Sequence, residues 1–181
     1  SEFAFAAKNH TKLLNAGVLL RVHPYNSVKN FMDKLLSYQV SEHLNIPVPR
    51  WYDDPQLASY PVIAKPRVSS GSKGIVLLNS IEEFESHFLN HKDEYVYSAF
   101  VKGQEYTVDA FYYEGELIGY VPRKRIKTLG GGAIITETDP TINVQHFLEK
   151  LGEAFDLDGP ANFQFILTPQ GDIYFTDFNL R

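Results

Sequence analysis

The chain has 181 residues, 44% of them hydrophobic and 14% aromatic, which is the composition of a folded globular protein and excludes a disordered one. It carries 17 basic and 22 acidic side chains, so its formal net charge of −5 argues against general binding to nucleic acid or an anionic membrane, while leaving room for a local phosphate site. There is no cysteine, which excludes disulfides, thiolate chemistry and cysteine metal sites and suits a reducing cytoplasm, and no apolar run approaches the roughly 20 residues a membrane-spanning helix needs.

Residues 4–16 predict a helix stopped by Gly17, and residues 18–22 a short strand. Ser27 is the expected N-cap of a long helix carrying Val28, Phe31, Met32, Leu35, Leu36 and Val40, ended by Asn45-Ile46-Pro47. A proline-punctuated loop leads to the strand Val62–Ala64, then Lys65-Pro66 and a Ser/Gly-rich loop, then a strand over 75–78. Ser80-Ile81-Glu82-Glu83 reads as a capping box opening a further helix. Residues 95–101 predict a strand, 106–121 a hairpin turning at Gly115, and the glycines within 128–138 a mobile loop. Thr141 or Asn143 is expected to cap a helix through Phe155, followed by strands 162–167 and 173–181 joined by a tight turn. The order does not repeat βαβ, so the expected class is α+β and not a doubly wound sheet.

Strand alternation places Asp177, Asn179 and Arg181 on one face, with neighbours about 7 Å apart, and Tyr174, Thr176, Phe178 and Leu180 on the other. If Thr168 pairs with Ile173, Gln164 falls opposite Asp177 and joins the polar face. One carboxylate and two amide oxygens suit Mg²⁺, which completes its shell with phosphates and water; the same pattern also describes a solvated strand face. Lys65, at a strand end, can reach a phosphate, and the loop Ser69–Gly74, including Lys73, offers small residues and free N–H groups. That loop fits neither a Walker A nor a Rossmann sequence, and it also reads as a flexible surface hairpin. The basic run Arg123, Lys124, Arg125 and Lys127 suggests RNA binding less well than an arginine facing an acidic substrate or phosphates across a cleft. His87 and His91 have zinc-compatible spacing, but fit a solvated helix end better.

Several segments, in this order, resemble the ATP-grasp superfamily. They are Asp33-Lys34, Asn45–Pro49, Tyr60–Pro66, Ser70–Ile75, Gly103–Asp109, Asn162–Phe165 and Asp177–Arg181, and the resemblance runs from about residue 27 to the end. It is greatest to the synthetase domains of carbamoyl-phosphate synthase large chains and related carboxylate–amine ligases. It implies two small α+β lobes with largely antiparallel sheets and a nucleotide cleft between them: residues 27–98 and 99–181, the second truncated. Residues 1–26 would be a remnant of a preceding domain, with Ser1–Phe3 reading as a cloning scar. It further implies ATP and Mg²⁺ (or Mn²⁺). Lys34 and Lys65 would contact phosphates, with Ser70, Gly71, Ser72 and Lys73 closing over them. Backbone groups of Ala99 and Val101 would read adenine, and Glu105 would hold the ribose. Gln164, Asp177 and Asn179 would bind the metal, while Arg181, with Lys65, would stabilise the transferring phosphoryl group.

The reaction so implied activates a carboxylate or bicarbonate as an acylphosphate for attack by an amine or ammonia. The expected partners are small-molecule acids and amines, the remaining domains of a longer protein, and a homo-oligomer. Asp177 and Leu180 depart from the Glu-x-Asn-Pro-Arg pattern usual in the metal-binding strand, and the shorter side chain pulls its oxygens back by about 1.5 Å. Ser98-Ala99 replaces the usual Gln-Glu of the hinge. These departures keep open a nucleotide-binding or regulatory module without turnover, or a structural domain that has lost the nucleotide.

Overall fold

The computed structural model describes residues 2–69 and 73–181. Two helices, α1 (Glu2–Lys8) and α2 (His10–Asn15), open the chain and end at Gly17, whose φ of 81° suits a residue without Cβ. Residues 18–22 form no strand: Val18, Leu19 and Leu20 are exposed, the Val18 N–H is bonded to the Leu13 carbonyl and the Leu20 carbonyl meets the His10 ring, so their β propensity has no strand to act on.

The long helix expected from Ser27 is two helices, α3 (Tyr25–Met32) and α4 (Lys34–His43). Ser27 is no cap; its buried hydroxyl donates to the Phe155 carbonyl, and α3 starts after Pro24. The capping residue is Asp33, extended at φ −101°, ψ 115°, whose side chain accepts from the Leu35 and Leu36 N–H groups. Its carboxylate also receives the Arg67 guanidinium at 2.6 Å.

A four-stranded sheet of order β1-β4-β2-β3 follows, from β1 (Trp51–Tyr52), β2 (Val62–Pro66), β3 (Val76–Leu78) and β4 (Tyr95–Ala99). Helix α5 (Ile81–His87) packs on it through Phe84, with Phe88 and Tyr97 completing a small core. Its capping box is shifted: Ser80 accepts from the Glu83 N–H, but the Glu83 carboxylate reaches back to the Asn79 N–H.

The second sheet has order β7-β6-β5-β8-β9, from β5 (Gln104–Tyr113), β6 (Glu116–Leu129), β7 (Gly132–Thr138), β8 (Gly159–Leu167) and β9 (Ile173–Leu180). Every strand pair in both sheets is antiparallel. Glu114 and Gly115, at φ 49° and 85°, make the hairpin turn between β5 and β6. The glycine triplet is not a loop but the tip of the β6–β7 hairpin, with Gly130 and Gly131 at positive φ and Leu129 paired with Gly132. Helix α6 (Gln145–Phe155) buries Leu148 and Leu151, and Asn143 accepts from the Gln145 N–H at its start. On the core face of the sheet lie Phe163, Phe165, Phe175 and Phe178, packed by α3, α4 and α6. Full burial of each such side chain stabilises the fold by about 1.5–3 kcal/mol.

The last hairpin carries one irregularity. Near its turn Leu167 pairs with Ile173 and Phe165 with Phe175, one residue away from the register expected of Thr168 and Ile173. Thr176 is then an unpaired bulge, after which Gln164 does face Asp177 and Asn162 faces Asn179. The bulge turns Phe175 into the core beside Phe178 and Leu180, where plain alternation would have put it with Asp177.

The segment before α3 is pinned by His23, which is buried; its Nε2 lies 2.8 Å from the Pro160 carbonyl, and its Nδ1 accepts from the Asp158 N–H. Burial pushes this imidazole below its ordinary 6.5, the Pro160 carbonyl and the Asp158 charge only partly opposing it. A base so depressed binds fewer protons folded than unfolded, so its stabilisation is complete above 6.5 and is lost as pH falls below that value. The melting temperature, followed by circular dichroism, is expected to fall as pH drops below 6.5, and to fall less steeply in His23→Asn.

Candidate nucleotide and metal site

Strand periodicity builds the floor of the site. On β5, β6, β8 and β9 the residues alternate with core positions, so Glu105, Thr107 and Asp109, Arg123 and Arg125, and Asn162 and Gln164 share the face away from the aromatic core. Register then aligns them in rows. Arg123 faces Thr107, Thr107 faces Gln164 and Gln164 faces Asp177; Asp109 faces Asn162, which faces Asn179. Asn162 donates to Asp109 at 2.6 Å and to Thr107 at 2.9 Å, and Asn179 donates to Asp177 at 3.0 Å. Arg123 pairs with Asp109 and also donates to Thr136 at 3.1 Å.

The smaller sheet supplies the opposite wall. Lys65, at the end of β2, donates to the Thr176 carbonyl at 3.1 Å and to the Tyr38 hydroxyl at 3.3 Å. An ammonium has three donors, so one remains for the cleft. Lys34, the first residue of α4, donates to Ser69 through both its carbonyl and its hydroxyl. Burial depresses the Lys34 ammonium below its ordinary range, and Lys65 adds to this, while Asp177 and Asp33 oppose it.

Two cavities meet here. The larger, of about 710 Å³, is lined by Lys34, Lys65, Gln164, Asp177, Asn179 and Arg181, among others. The smaller, of about 500 Å³, is lined by Ala99, Val101 and Glu105. Lys65, Ile75, Arg125, Gly131, Gln164 and Thr176 line both, so the two are halves of one cleft. Thus Lys34, Lys65, Gln164, Asp177, Asn179 and Arg181 come together on one side and Ala99, Val101 and Glu105 on the other. Lys73 is exposed and lines neither cavity, and Ser70, Gly71 and Ser72 lie outside the described residues.

Sequence reasoning missed Tyr38 and Thr176, which hold Lys65. Tyr38 lies outside the apolar positions picked out in its helix, and strand alternation assigns Thr176 to the face away from Asp177. His87 bonds within its own helix to the Glu83 carbonyl, and His91 meets Glu94.

The donor set suits an anion with a divalent cation. In the larger cavity Lys34, Lys65, Arg123, Arg125 and Arg181 outnumber the carboxylates Asp109 and Asp177. The buried Nε of Arg125 has no hydrogen-bond partner among the described residues. Among the described residues no three carboxylate or histidine side chains cluster to hold a metal by themselves. A cation here would therefore rest on Asp177, the amides of Asn179 and Gln164, and ligand oxygens, the arrangement Mg²⁺ accepts. No helix among the described residues is long and apolar enough to cross a membrane.

A family model described as an ATP-grasp domain matches residues 31–181. The D-alanine–D-alanine ligase of Fusobacterium nucleatum subsp. nucleatum is 26% identical over 163 residues, covering 82% of this chain and 55% of that enzyme. Among solved structures, the biotin carboxylase domain of Hydrogenobacter thermophilus 2-oxoglutarate carboxylase, in complex with MgADP, ADP and bicarbonate, superposes with a TM-score of 0.79 at 15% identity, over 98% of this chain and 46% of that one. D-alanyl-alanine synthetase A of Vibrio cholerae O1 biovar eltor superposes with a TM-score of 0.73 at 17% identity, over 97% and 62% respectively. The chain spans about half the length of the curated relative it matches.

The Asp33 cap sets the position of Lys34. Asp33→Ala is expected to lower stability by about 1–2 kcal/mol, measured by urea unfolding, since it removes the cap and leaves Arg67 without its carboxylate.

Proposed function

The chain belongs to the ATP-grasp family, and on that premise we propose that it is the nucleotide-binding part of an ATP-dependent ligase that activates a carboxylate or bicarbonate for attack by an amine or ammonia. Both groups of relatives bear on this reading, the D-alanine ligase by its name and the biotin carboxylase domain by the MgADP and bicarbonate bound to it. A carbamoyl-phosphate synthase-like reaction is one form of this chemistry, in which bicarbonate is the acid.

In this reading the smaller cavity takes the base, with backbone groups of Ala99 and Val101 at the adenine edge and Glu105 at the ribose. Lys34 and Lys65 neutralise phosphate charge from one wall, and Arg181 does so from the other. Asp177 and Asn179, with the second lone pair of the Gln164 amide oxygen, hold Mg²⁺. The cation, when bound, withdraws charge from the phosphoryl oxygens. The protein's own task is to position and neutralise, because phosphoryl transfer asks little covalent help. The single observation that carries the reading is the convergence of Lys65, Gln164, Asp177 and Asn179 on one cavity.

One observation favours a second reading, a nucleotide-binding module without turnover. Asp177 is the one carboxylate of the proposed metal set, where the related pattern has a longer glutamate. Release of ADP by the full-length protein, screened over small acids and amines with bicarbonate included, separates the two. Any acid-dependent turnover removes the second reading.

Calorimetry of MgATP binding tests the site itself. Asp177→Ala is expected to weaken MgATP by about tenfold or more while changing metal-free ATP little. Equal MgATP affinity in the two proteins would remove the metal assignment.

A further inference from the structure

Arg125 belongs to the basic run expected to face a substrate or phosphates across the cleft, and the nucleotide reading above gives it no role of its own. It lies on β6, at the common wall of both cavities, and its side chain is only 7% exposed. One of its terminal nitrogens donates both to Glu105 and to Gln164, each at 3.0 Å. The other donates to the Gly131 carbonyl at the tip of the β6–β7 hairpin. Its Nε, also buried, has no partner among the described residues.

A guanidinium is always charged and carries five donors in a rigid fork. Here that charge is removed from water, yet its one carboxylate partner, Glu105, is 55% exposed and therefore well screened. Nearby stand Lys65 and, along the same cleft, Lys34, which add to the unmatched positive charge. Burying a cation with incomplete compensation is costly, and an anion entering at this wall would relieve it.

We infer that Arg125 reads the phosphate chain of the nucleotide, with Glu105, Gln164 and the Gly131 carbonyl fixing the guanidinium for that task. The inference rests on the nucleotide reading above and deepens it. A nucleotide with its base in the smaller cavity and its phosphates in the larger must cross the wall that Arg125 occupies. Because a single nitrogen holds both Glu105 and Gln164, the arginine ties the ribose side of the cleft to the metal side. Affinity should therefore depend on Arg125 in proportion to the number of phosphates and not on the base.

Calorimetry with adenosine, AMP, ADP and ATP in the presence of Mg²⁺ tests this on the whole chain. Arg125→Met is expected to weaken ADP and ATP about tenfold or more, the order of a lost hydrogen bond to a charged group, and to leave adenosine nearly unchanged. A loss of the same factor for adenosine and ATP would mean a merely structural arginine and overturn the inference, as would unchanged ATP affinity. If Arg125→Met does not melt cooperatively, Arg125→Lys carries the test. It keeps the charge but not the fork, and is expected to lose ATP affinity selectively; wild-type-like ATP binding by that variant overturns the inference. Wild-type protein that binds neither ADP nor ATP would bring down the nucleotide reading, and this inference with it. Wild-type binding with an indifferent Arg125→Met brings down this inference alone.

Discussion

Lys65 joins the two sheets where they face each other. Its ammonium leaves the end of β2 and reaches the carbonyl of Thr176 and the hydroxyl of Tyr38, one on β9 and the other on α4. Three elements distant in sequence thus converge on one cation. The contact needs Thr176 to present its carbonyl away from the ladder, which is what an unpaired bulge residue does. It also needs α4 to begin at Lys34, which the Asp33 cap enforces. The positive wall of the cleft depends on these two local features, each set by a few residues.

Opposite that wall, the larger sheet offers hydrogen-bonded rows instead of free charges. Arg123 is matched by Asp109, Asn162 bridges Asp109 and Thr107, and Asn179 is turned toward Asp177. A chain with a net charge of −5 thereby concentrates cations in one cleft. The local field, and not the overall charge, is what an anionic ligand meets.

Much of this was legible in the residues themselves. Alternation on β8 and β9 placed Gln164 opposite Asp177, and the ordered motifs indicated the family and its antiparallel sheets. The pairing of Gln164 with Asp177 was nevertheless reached through a register that fails near the turn, because a bulge is invisible to a period of two. Thr176 was placed with Phe178 and Leu180 for the same reason, yet it lines both cavities. Ser27 and Asp33 are both good capping residues, and sequence alone gave no means to see that the hydroxyl of Ser27 is spent on Phe155. The strand expected at 18–22 had the right residues but no neighbour, and the glycines at 130–132, read as a loop, turn a hairpin. The smaller cavity depends on where β4 ends and β5 begins, which no side-chain pattern marks.

The bulge also has an implication for how such a fold could change under selection. With Thr176 excised, Phe175, Phe178 and Leu180 would still turn inward and Asp177 and Asn179 outward, because the flanking register already differs by one. The shortened strand would be more regular than the present one and would keep its hydrophobic layer. What would vanish is the carbonyl that receives Lys65. A single in-frame codon loss could in this way uncouple the scaffold from its lysine anchor while sparing the packing, a short evolutionary step that would leave the fold but not the anchor.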